Sequence, residues 1–235
     1  DINNDGIADY AIGLPDINIV YVLYGQESNF ITDINLDILP STQGFKISGE
    51  GTFGRSFSHA GDINGDSIDD LIIGAAYAYS YRGGSYIIYG KSGYFTDINV
   101  NNLSLEQGFA IIGGENNFAS GYSVSGNIDV NKDGISDVII AIPTINSQIN
   151  TQIILGKVQA TRPNIYLDAI EPSEGIVTLS SNYYFREQLV VSSIGDVDGD
   201  GFNDFAVGSF DEQINGATPT ASSTTVSEWD RKSVV

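Results

Sequence analysis

The chain alternates short apolar runs with polar loops, and the whole pattern recurs after 61 to 67 residues. In the clearest copy, strands rich in aromatic, apolar or small residues are predicted at 53–62, 70–76, 85–90 and 108–113. Four short strands bounded by Gly, Asn and Asp are typical of one blade of a β-propeller. Because no segment keeps a 3.6-residue period, the pattern predicts an all-β fold.

The repeat divides the chain into complete and partial blades. Each blade is predicted to carry an acidic loop between its first two strands. Residues 211–235 lose the pattern and are rich in Ser, Thr and Ala, so a disordered or non-repeat tail is predicted there. Either further blades lie outside this sequence, or strand 185–195 closes a small ring with the first blade. The predicted units of this partial β-propeller are a partial blade 1–52, a blade 53–117, a blade 118–184 and a partial blade 185–210.

The acidic loops have the spacing of calcium ligands. In "DVDGDGFND" at 196–204, carboxylates occupy positions 1, 3, 5 and 9, Gly201 occupies position 6, and Phe202 at position 7 offers its carbonyl. This is the order of oxygen ligands in D-x-[DN]-x-[DN]-G calcium loops. An EF-hand would need a Glu at position 12 followed by a helix, but Val207 stands there in an apolar strand. The spacing therefore predicts a calcium loop between two strands.

This loop occurs four times, and successive starts are 61, 67 and 67 residues apart. Up to four Ca²⁺ ions are predicted. Ser67 replaces Gly at position 6 of the second loop, where a left-handed backbone costs a non-Gly residue roughly 1 kcal/mol, so a weaker second site is predicted. The candidate metal ligands, with position 7 acting through its carbonyl, are Asp1, Asn3, Asp5, Ile7 and Asp9; Asp62, Asn64, Asp66, Ile68 and Asp70; Asp129, Asn131, Asp133, Ile135 and Asp137; and Asp196, Asp198, Asp200, Phe202 and Asp204.

The residues around the loops resemble a known repeat. Phe53-Gly54 before the second loop and Gly74-Ala75-Ala76 after it resemble the FG-GAP repeat of integrin alpha-chain β-propellers and their bacterial relatives. The resemblance extends from residue 1 to about 210. The other copies match in part, with Phe118-Ala119 and Ala141-Ile142-Pro143 in the third, Phe185 and Gly208-Ser209 in the fourth, and Gly13-Leu14-Pro15 in the first.

That resemblance implies a ring of seven repeats with calcium in the hairpin loops of several blades. It also implies that the remaining blades of the full-length protein are partners of this chain. Ligand-contacting loops would lie on the face away from the calcium hairpins, and parts of 26–43, 77–84 and 144–150 are expected there.

Charge and composition limit the possible partners and compartments. The chain carries 30 acidic and 10 basic residues, a net charge of −20, and four bound Ca²⁺ would leave −12, so calcium should relieve self-repulsion. No basic patch is present, which argues against nucleic acid as a partner. No Cys is present, which excludes disulfides. The sequence contains no apolar run of 18 residues, so no transmembrane helix is predicted. Loops built from oxygen ligands favour a calcium-rich location, at the cell surface or in a secreted or periplasmic protein.

The sequence gives little support to catalysis, and no enzyme is predicted. His59, the single histidine, has no predicted partner, and a strand or surface role is favoured over a general base. A glycosidase pair could lie among several glutamates of the inter-strand loops, although a solvated role is favoured for all of them. These glutamates are Glu50, Glu106, Glu115, Glu171 and Glu174.

The sequence therefore predicts a calcium-binding, integrin-alpha-like propeller module for cell-surface adhesion or for binding an extracellular protein or glycan. The main alternative is an accessory FG-GAP domain of a secreted hydrolase, whose catalytic part would lie elsewhere. A lectin-like module and a dockerin-type scaffold are further alternatives. A dockerin-type scaffold would have helices after its loops, and the strands predicted there argue against it. Tyr77, Tyr79 and Tyr81 could share one strand face as a binding surface, although packing between blades is favoured.

Overall fold

The computed structural model describes residues 1–27, 34–115, 119–143, 149–181, 189–209 and 225–227, and it confirms an all-β partial propeller. Short 3₁₀ turns at Leu36–Ile38, Val100–Asn102 and Leu167–Ala169 are the helical segments of these ranges, and none could cross a membrane. The strands are β1 (Tyr10–Leu14), β2 (Ile19–Leu23), β3 (Gly44–Ser48), β4 (Phe57–Gly61), β5 (Asp70–Ala75), β6 (Gly84–Ile88), β7 (Ile98–Asn99), β8 (Gly108–Ile112), β9 (Val124–Ile128), β10 (Asp137–Pro143), β11 (Ile149–Ile154), β12 (Ile165–Tyr166), β13 (Gly175–Ser181), β14 (Leu189–Gly195), β15 (Asp204–Ser209) and β16 (Thr225–Ser227).

The strands form four antiparallel blades. The second blade has the order β4-β5-β6-β8, and the third has the order β9-β10-β11-β13. The first blade contains β1, β2 and β3, and the fourth contains β14, β15 and β16. The four-stranded repeat predicted from the sequence is therefore confirmed. Within the described ranges β14 pairs with β15 and not with the first blade, which contradicts the small-ring alternative.

Two short parallel strands link neighbouring blades, and the sequence did not predict them. β7 extends the first sheet through the register Ile47↔Ile98, and β12 extends the second sheet through Ile111↔Ile165. Each of these strands lies in the connection between the last two main strands of the following blade. A two-residue strand has no alternating pattern of its own, so the neighbouring blade has to be known before it can be identified.

The middle strands are buried on both faces, which explains their uninterrupted apolar sequence. In β5, Leu71 and Ile73 pack toward the first blade, whereas Ile72 packs toward the third. In β10, Ile140 packs toward the second blade and Ile139 toward the fourth. Apolar clusters therefore fill the spaces between successive blades, and burial of this surface is the main force that stacks them.

The first strands of successive blades pack against one another through small residues. β4 contacts β9, and β9 contacts β14. A Cβ at Gly126 would come within 2.7 Å of the Cα of Ala60, so only Gly allows this approach. Serine hydroxyls also join these strands, because Ser56 Oγ accepts a 2.8 Å hydrogen bond from the amide of Val124 in the next blade.

The FG-GAP residues of the second blade pack closely within that blade and against the third. Phe53 is fully buried, and its ring packs edge-on against Tyr86. The amide of Gly54 donates to the Gly74 carbonyl at 3.0 Å. A Cβ at Gly74 would lie 2.1 Å from the carbonyl oxygen of Gly121 in the next blade. The motif therefore keeps two backbones in contact where a larger residue would separate the blades.

Other predicted features fall outside the described residues. Phe118, Phe185 and most of the loop 144–150 are among them. Of 211–235 the structure describes 225–227, which form β16 beside β15. The blade boundaries and the non-repeat tail remain predictions.

Candidate calcium-binding loops

The first aspartate of each loop accepts hydrogen bonds from the turn that follows it. In the fourth loop, the two carboxylate oxygens of Asp196 accept from the amides of Gly199 and Gly201, each at 2.8 Å. In the first loop, Asp1 accepts from the Gly6 amide at 2.7 Å. Equivalent bonds link Asp62 to Ser67 at 2.7 Å and Asp129 to Gly134 at 3.0 Å. The spacing read from the sequence therefore corresponds to one repeated loop geometry.

Positions 3 and 5 continue the same geometry. The amide of Asp200 donates to Asp198 Oδ1 at 2.9 Å, and the amide of Phe202 donates to Asp200 Oδ1 at 2.7 Å. In the first three loops position 3 is Asn, and its side-chain amide donates to the position 5 carboxylate, as Asn64 does to Asp66 at 3.0 Å. The fourth loop has a carboxylate in that place, so this internal donor is missing.

Positions 4 and 6 require a left-handed backbone. At position 4, Asn4 and Lys132 have φ values of 57° and 58°. At position 6, Ser67 has a φ value of 69° and still donates its amide to Asp62. The serine therefore adopts the conformation that Gly adopts in the other loops, at a cost of roughly 1 kcal/mol. Whether the second site is weaker remains a prediction.

The aspartate at position 9 joins the loop to the end of its blade's third main strand. Asp70 accepts from the amides of Ile63 at 3.0 Å and Gly90 at 2.8 Å. Burial raises the pKa of Asp70 to about 8 and that of Asp137 to about 7, although the backbone hydrogen bonds partly oppose these increases. The sequence did not show that Asp70 also binds the end of the third main strand, because its partner Gly90 lies 20 residues further along the chain.

The set of donor atoms fits a hard cation such as calcium. Oxygens of Asp196, Asp198 and Asp204 lie within 4.8 Å of one another, with Asp204 buried and the other two exposed. Carboxylate, amide and carbonyl oxygens are the ligands that Ca²⁺ takes in proteins. The first three loops offer the same atoms, with an amide oxygen in place of the carboxylate at position 3.

The loops lie at the contacts between blades. The Ile2 carbonyl of the first loop accepts from the Lys91 amide of the second blade at 3.0 Å. The Ile63 carbonyl of the second loop accepts from the Lys157 amide of the third blade at 3.0 Å. The order of the first and second loops is therefore coupled to the position of the following blade.

Two of the residues considered for catalysis, His59 and Glu174, have charged structural partners. His59 lies on β4, and its Nε2 is 3.0 Å from Asp69 Oδ1. Glu174 binds Lys157 and Arg162. Burial alone would raise the pKa of Glu174, but these two cations outweigh burial and lower it. A glycosidase acid needs a raised pKa, so Glu174 does not suit that role.

Tyr77, Tyr79 and Tyr81 do not share a strand face, so the alternative of a single strand surface is wrong, and the favoured packing between blades holds for one of them. β5 ends at Ala75, and the following turn has positive φ values of 51°, 58° and 70° at residues 79 to 81. Tyr79 points inward, where its hydroxyl lies 2.9 Å from that of Tyr86. The rings of Tyr77 and Tyr81 pair at 5.7 Å on the exposed side. One tyrosine therefore packs between blades, while two form a surface pair.

The expected position of 26–43 is also wrong. Its described parts, 26–27 and 34–43, follow β2 and precede β3 at the end of the sheet where the first calcium loop enters β1. The amide of Gly25, just before it, donates to Asp9 of that loop at 2.9 Å. Antiparallel strands alternate in direction, so the opposite end of the first blade carries the hairpin at 15–18. The turn at 76–83 does lie at that opposite end.

Comparisons with known proteins agree with this geometry. A family model described as FG-GAP repeat matches residues 53–89. Integrin alpha-8 of Gallus gallus is 31% identical over 153 residues, which is 60% of this chain and 14% of that protein. Integrin alpha-PS2 of Drosophila melanogaster is 28% identical over 186 residues, 77% of this chain and 12% of that protein.

A shorter match has higher identity. Integrin alpha-2 of Mus musculus is 40% identical over 79 residues, which is 32% of this chain and 7% of that protein. The chain thus spans about a seventh or less of the integrins it matches. The matched motif, the blades and the loops agree with one another. The chain contains an FG-GAP repeat at 53–89 and is similar to integrin alpha chains.

Proposed function

We propose that the chain is a calcium-dependent propeller module that binds an extracellular protein or glycan in adhesion at the cell surface. The observation that carries this proposal is the fourfold recurrence of one loop geometry, with oxygen donors at positions 1, 3, 5 and 9. The similarity to integrin alpha chains supports the adhesive part.

Calcium has a structural role in this proposal. A bound ion would supply positive charge at the centre of each loop. The loop aspartates then cease to repel one another, and the turn keeps its amides directed at Asp1 and its counterparts. Because the Ile2 and Ile63 carbonyls bind the following blade, a fixed loop also fixes the contact between blades. Calcium removal should therefore loosen the stack of blades.

The proposed ligand surface lies at the opposite end of the blades. Its centre is the exposed pair Tyr77 and Tyr81, supported by the half-buried Tyr79. Aromatic side chains offer a large, rigid contact area with a polar hydroxyl, which suits both protein and sugar ligands. Three consecutive non-Gly residues with positive φ are costly, and such strain is found most often at functional sites.

Calorimetric titration with CaCl₂ and thermal unfolding in calcium or chelator test the structural role. We expect saturable binding and a higher Tm in calcium, since an ion at 100 times its Kd stabilises the folded state by about 2.7 kcal/mol. Asp133→Asn should remove one binding event, whereas Asp16→Asn, on an exposed hairpin, should leave all of them. At pH 7 binding should also release protons from Asp70, so the heat should depend on the buffer. Equal Tm values and no heat would refute the proposal.

Binding to glycan arrays and to immobilised extracellular matrix proteins tests the ligand surface. We expect the double variant Tyr77→Ala, Tyr81→Ala to lose binding without a change in calcium affinity. Tyr94→Ala is the matched control, because Tyr94 is 60% exposed and Tyr81 is 62% exposed, but Tyr94 lies at the calcium end. Equal binding by the two variants would place the ligand surface elsewhere.

A further inference from the structure

Lys132 belongs to the third loop, but its side chain lies on the fourth. Its Nζ donates to the Asp200 carbonyl at 2.9 Å and lies 3.4 Å from the ring centroid of Phe202. A Cβ added at Gly201 would be 2.9 Å from the same Nζ. The ammonium therefore rests against positions 5, 6 and 7 of the neighbouring loop, beside its candidate calcium ligands.

Position 4 is used differently in the other loops. In the first loop, Asn4 donates to Ser92 Oγ at 2.9 Å. In the second loop, Gly65 packs against Val158. Both partners are neutral residues in the segment that follows the third main strand of the next blade. Lys132 instead brings a positive charge to another loop, and it does so from a left-handed backbone that a non-Gly residue adopts at a cost.

The fourth loop also differs in its own charge. Position 3 is Asn in the first three loops and Asp198 in the fourth, so the fourth has four carboxylates among its ligand positions and the others have three. Asp198 lacks the amide that Asn64 and its counterparts donate to position 5. Lys132 brings one positive charge to the fourth loop, which is equal in size to this additional negative charge.

We propose that Lys132 is the countercharge of the fourth loop and sets the calcium affinity of that loop from the neighbouring blade. This inference rests on the proposed calcium function. An ammonium beside the ligands opposes a divalent cation through like-charge repulsion, and it stabilises the carboxylates when no ion is bound. Asp198 acts in the opposite direction, since an additional carboxylate raises affinity for calcium.

The test resolves the loops by NMR during titration with CaCl₂. The amides of Gly134 and Gly201 donate to the first aspartate of the third and fourth loops at 3.0 Å and 2.8 Å, so each reports on one site. In Lys132→Met we expect the Gly201 transition at about tenfold lower calcium, with the Gly134 transition moved less than about twofold. Asp198→Asn should move the Gly201 transition about tenfold the other way, and the double variant should return near the wild type.

Two controls separate local from general effects of charge. Lys132→Arg keeps the charge and should leave the Gly201 transition in place. Lys46→Met removes the same charge on β3, where Lys46 pairs with Asp97, and should also leave it unchanged. The inference fails if Lys132→Met leaves the Gly201 transition unchanged or shifts both glycines equally. If neither glycine responds to calcium in the wild type, the proposed calcium function fails as well, so the two failures are distinguishable.

Discussion

Two contacts between blades occupy the same place in the repeat but use different chemistry. Between the first and second blades, Phe45 and Phe95 stack with ring centroids 4.3 Å apart and planes 7° apart. Between the second and third blades, the guanidinium of Arg162 lies 5.0 Å from the ring centroid of Phe109. Phe95 and Arg162 each stand three residues before the short strand that joins the preceding blade.

The difference shows that the repeat specifies where a side chain packs and leaves open how it is stabilised. Arg162 is 3% exposed, and an ion buried to that extent needs partners. Glu174 binds it, and the Leu155 carbonyl accepts from its Nη1 at 2.8 Å. Phe95 is apolar and has no ion to neutralise; Lys91 Nζ lies 4.9 Å from its ring centroid, and its backbone amide donates to the Tyr24 hydroxyl at 2.8 Å. The first contact therefore centres on two stacked rings, and the second on a buried ionic network over an aromatic ring.

Truncation of the aromatic contact should have the largest effect. Phe95→Ala leaves a cavity against Phe45, and we expect it to lower the free energy of unfolding by about 3 to 4 kcal/mol. Urea unfolding at pH 7 in calcium measures this change. Tyr94→Ala, an exposed neighbour, is the control and should cost less than about 1 kcal/mol. A cost below that value for Phe95→Ala would show that the stacked pair contributes little to blade packing.

Truncation of the ionic contact should cost somewhat less. Arg162→Ala removes the cation over Phe109 and leaves the Leu155 carbonyl without this donor, and we expect a loss of about 2 to 3 kcal/mol. Glu174 is partly exposed and keeps Lys157, which limits the penalty. The same unfolding measurement applies, with Lys46→Ala as a control at an exposed ion pair. A loss equal to that of the control would show that Arg162 adds no more than a surface charge.

Replacement of the ionic contact by an aromatic contact should leave the free energy of unfolding nearly unchanged. Arg162→Phe recreates the aromatic pair of the first contact on Phe109, and we expect the free energy of unfolding to stay within about 1 kcal/mol of the wild type. Replacement of buried ion pairs by apolar residues of similar size often gives this result. A loss larger than that of Arg162→Ala would mean that the second contact has no room for a ring, and that the two contacts are not interchangeable.

Several features of this comparison could not be read from the sequence. The strands, the blade order and the loop spacing follow from local patterns, because each pattern lies within one blade. Glu174 was predicted to be a solvated loop residue and Arg162 was not singled out, since nothing near them in the sequence indicates Phe109 as a partner. The short strands β7 and β12 were missed for the same reason. The left-handed turn at Tyr79–Tyr81 also has no sequence signal, because residues with positive φ are usually Gly or Asn.

Acid should weaken the ionic contact and leave the aromatic contact unchanged, and this is the smallest of the expected effects. The pKa of Glu174 is lowered in the folded state, so its contribution to stability is present above its unfolded pKa and is lost as pH falls through the folded value. We therefore expect the cost of Arg162→Ala to shrink by about 1 kcal/mol between pH 7 and pH 3, measured as the difference from the wild type. The cost of Phe95→Ala should stay constant, because neither ring titrates. A parallel decline in both would mean that acid loosens the blades as a whole, whereas a decline for Arg162→Ala alone would assign the ionic part of the second contact to Glu174.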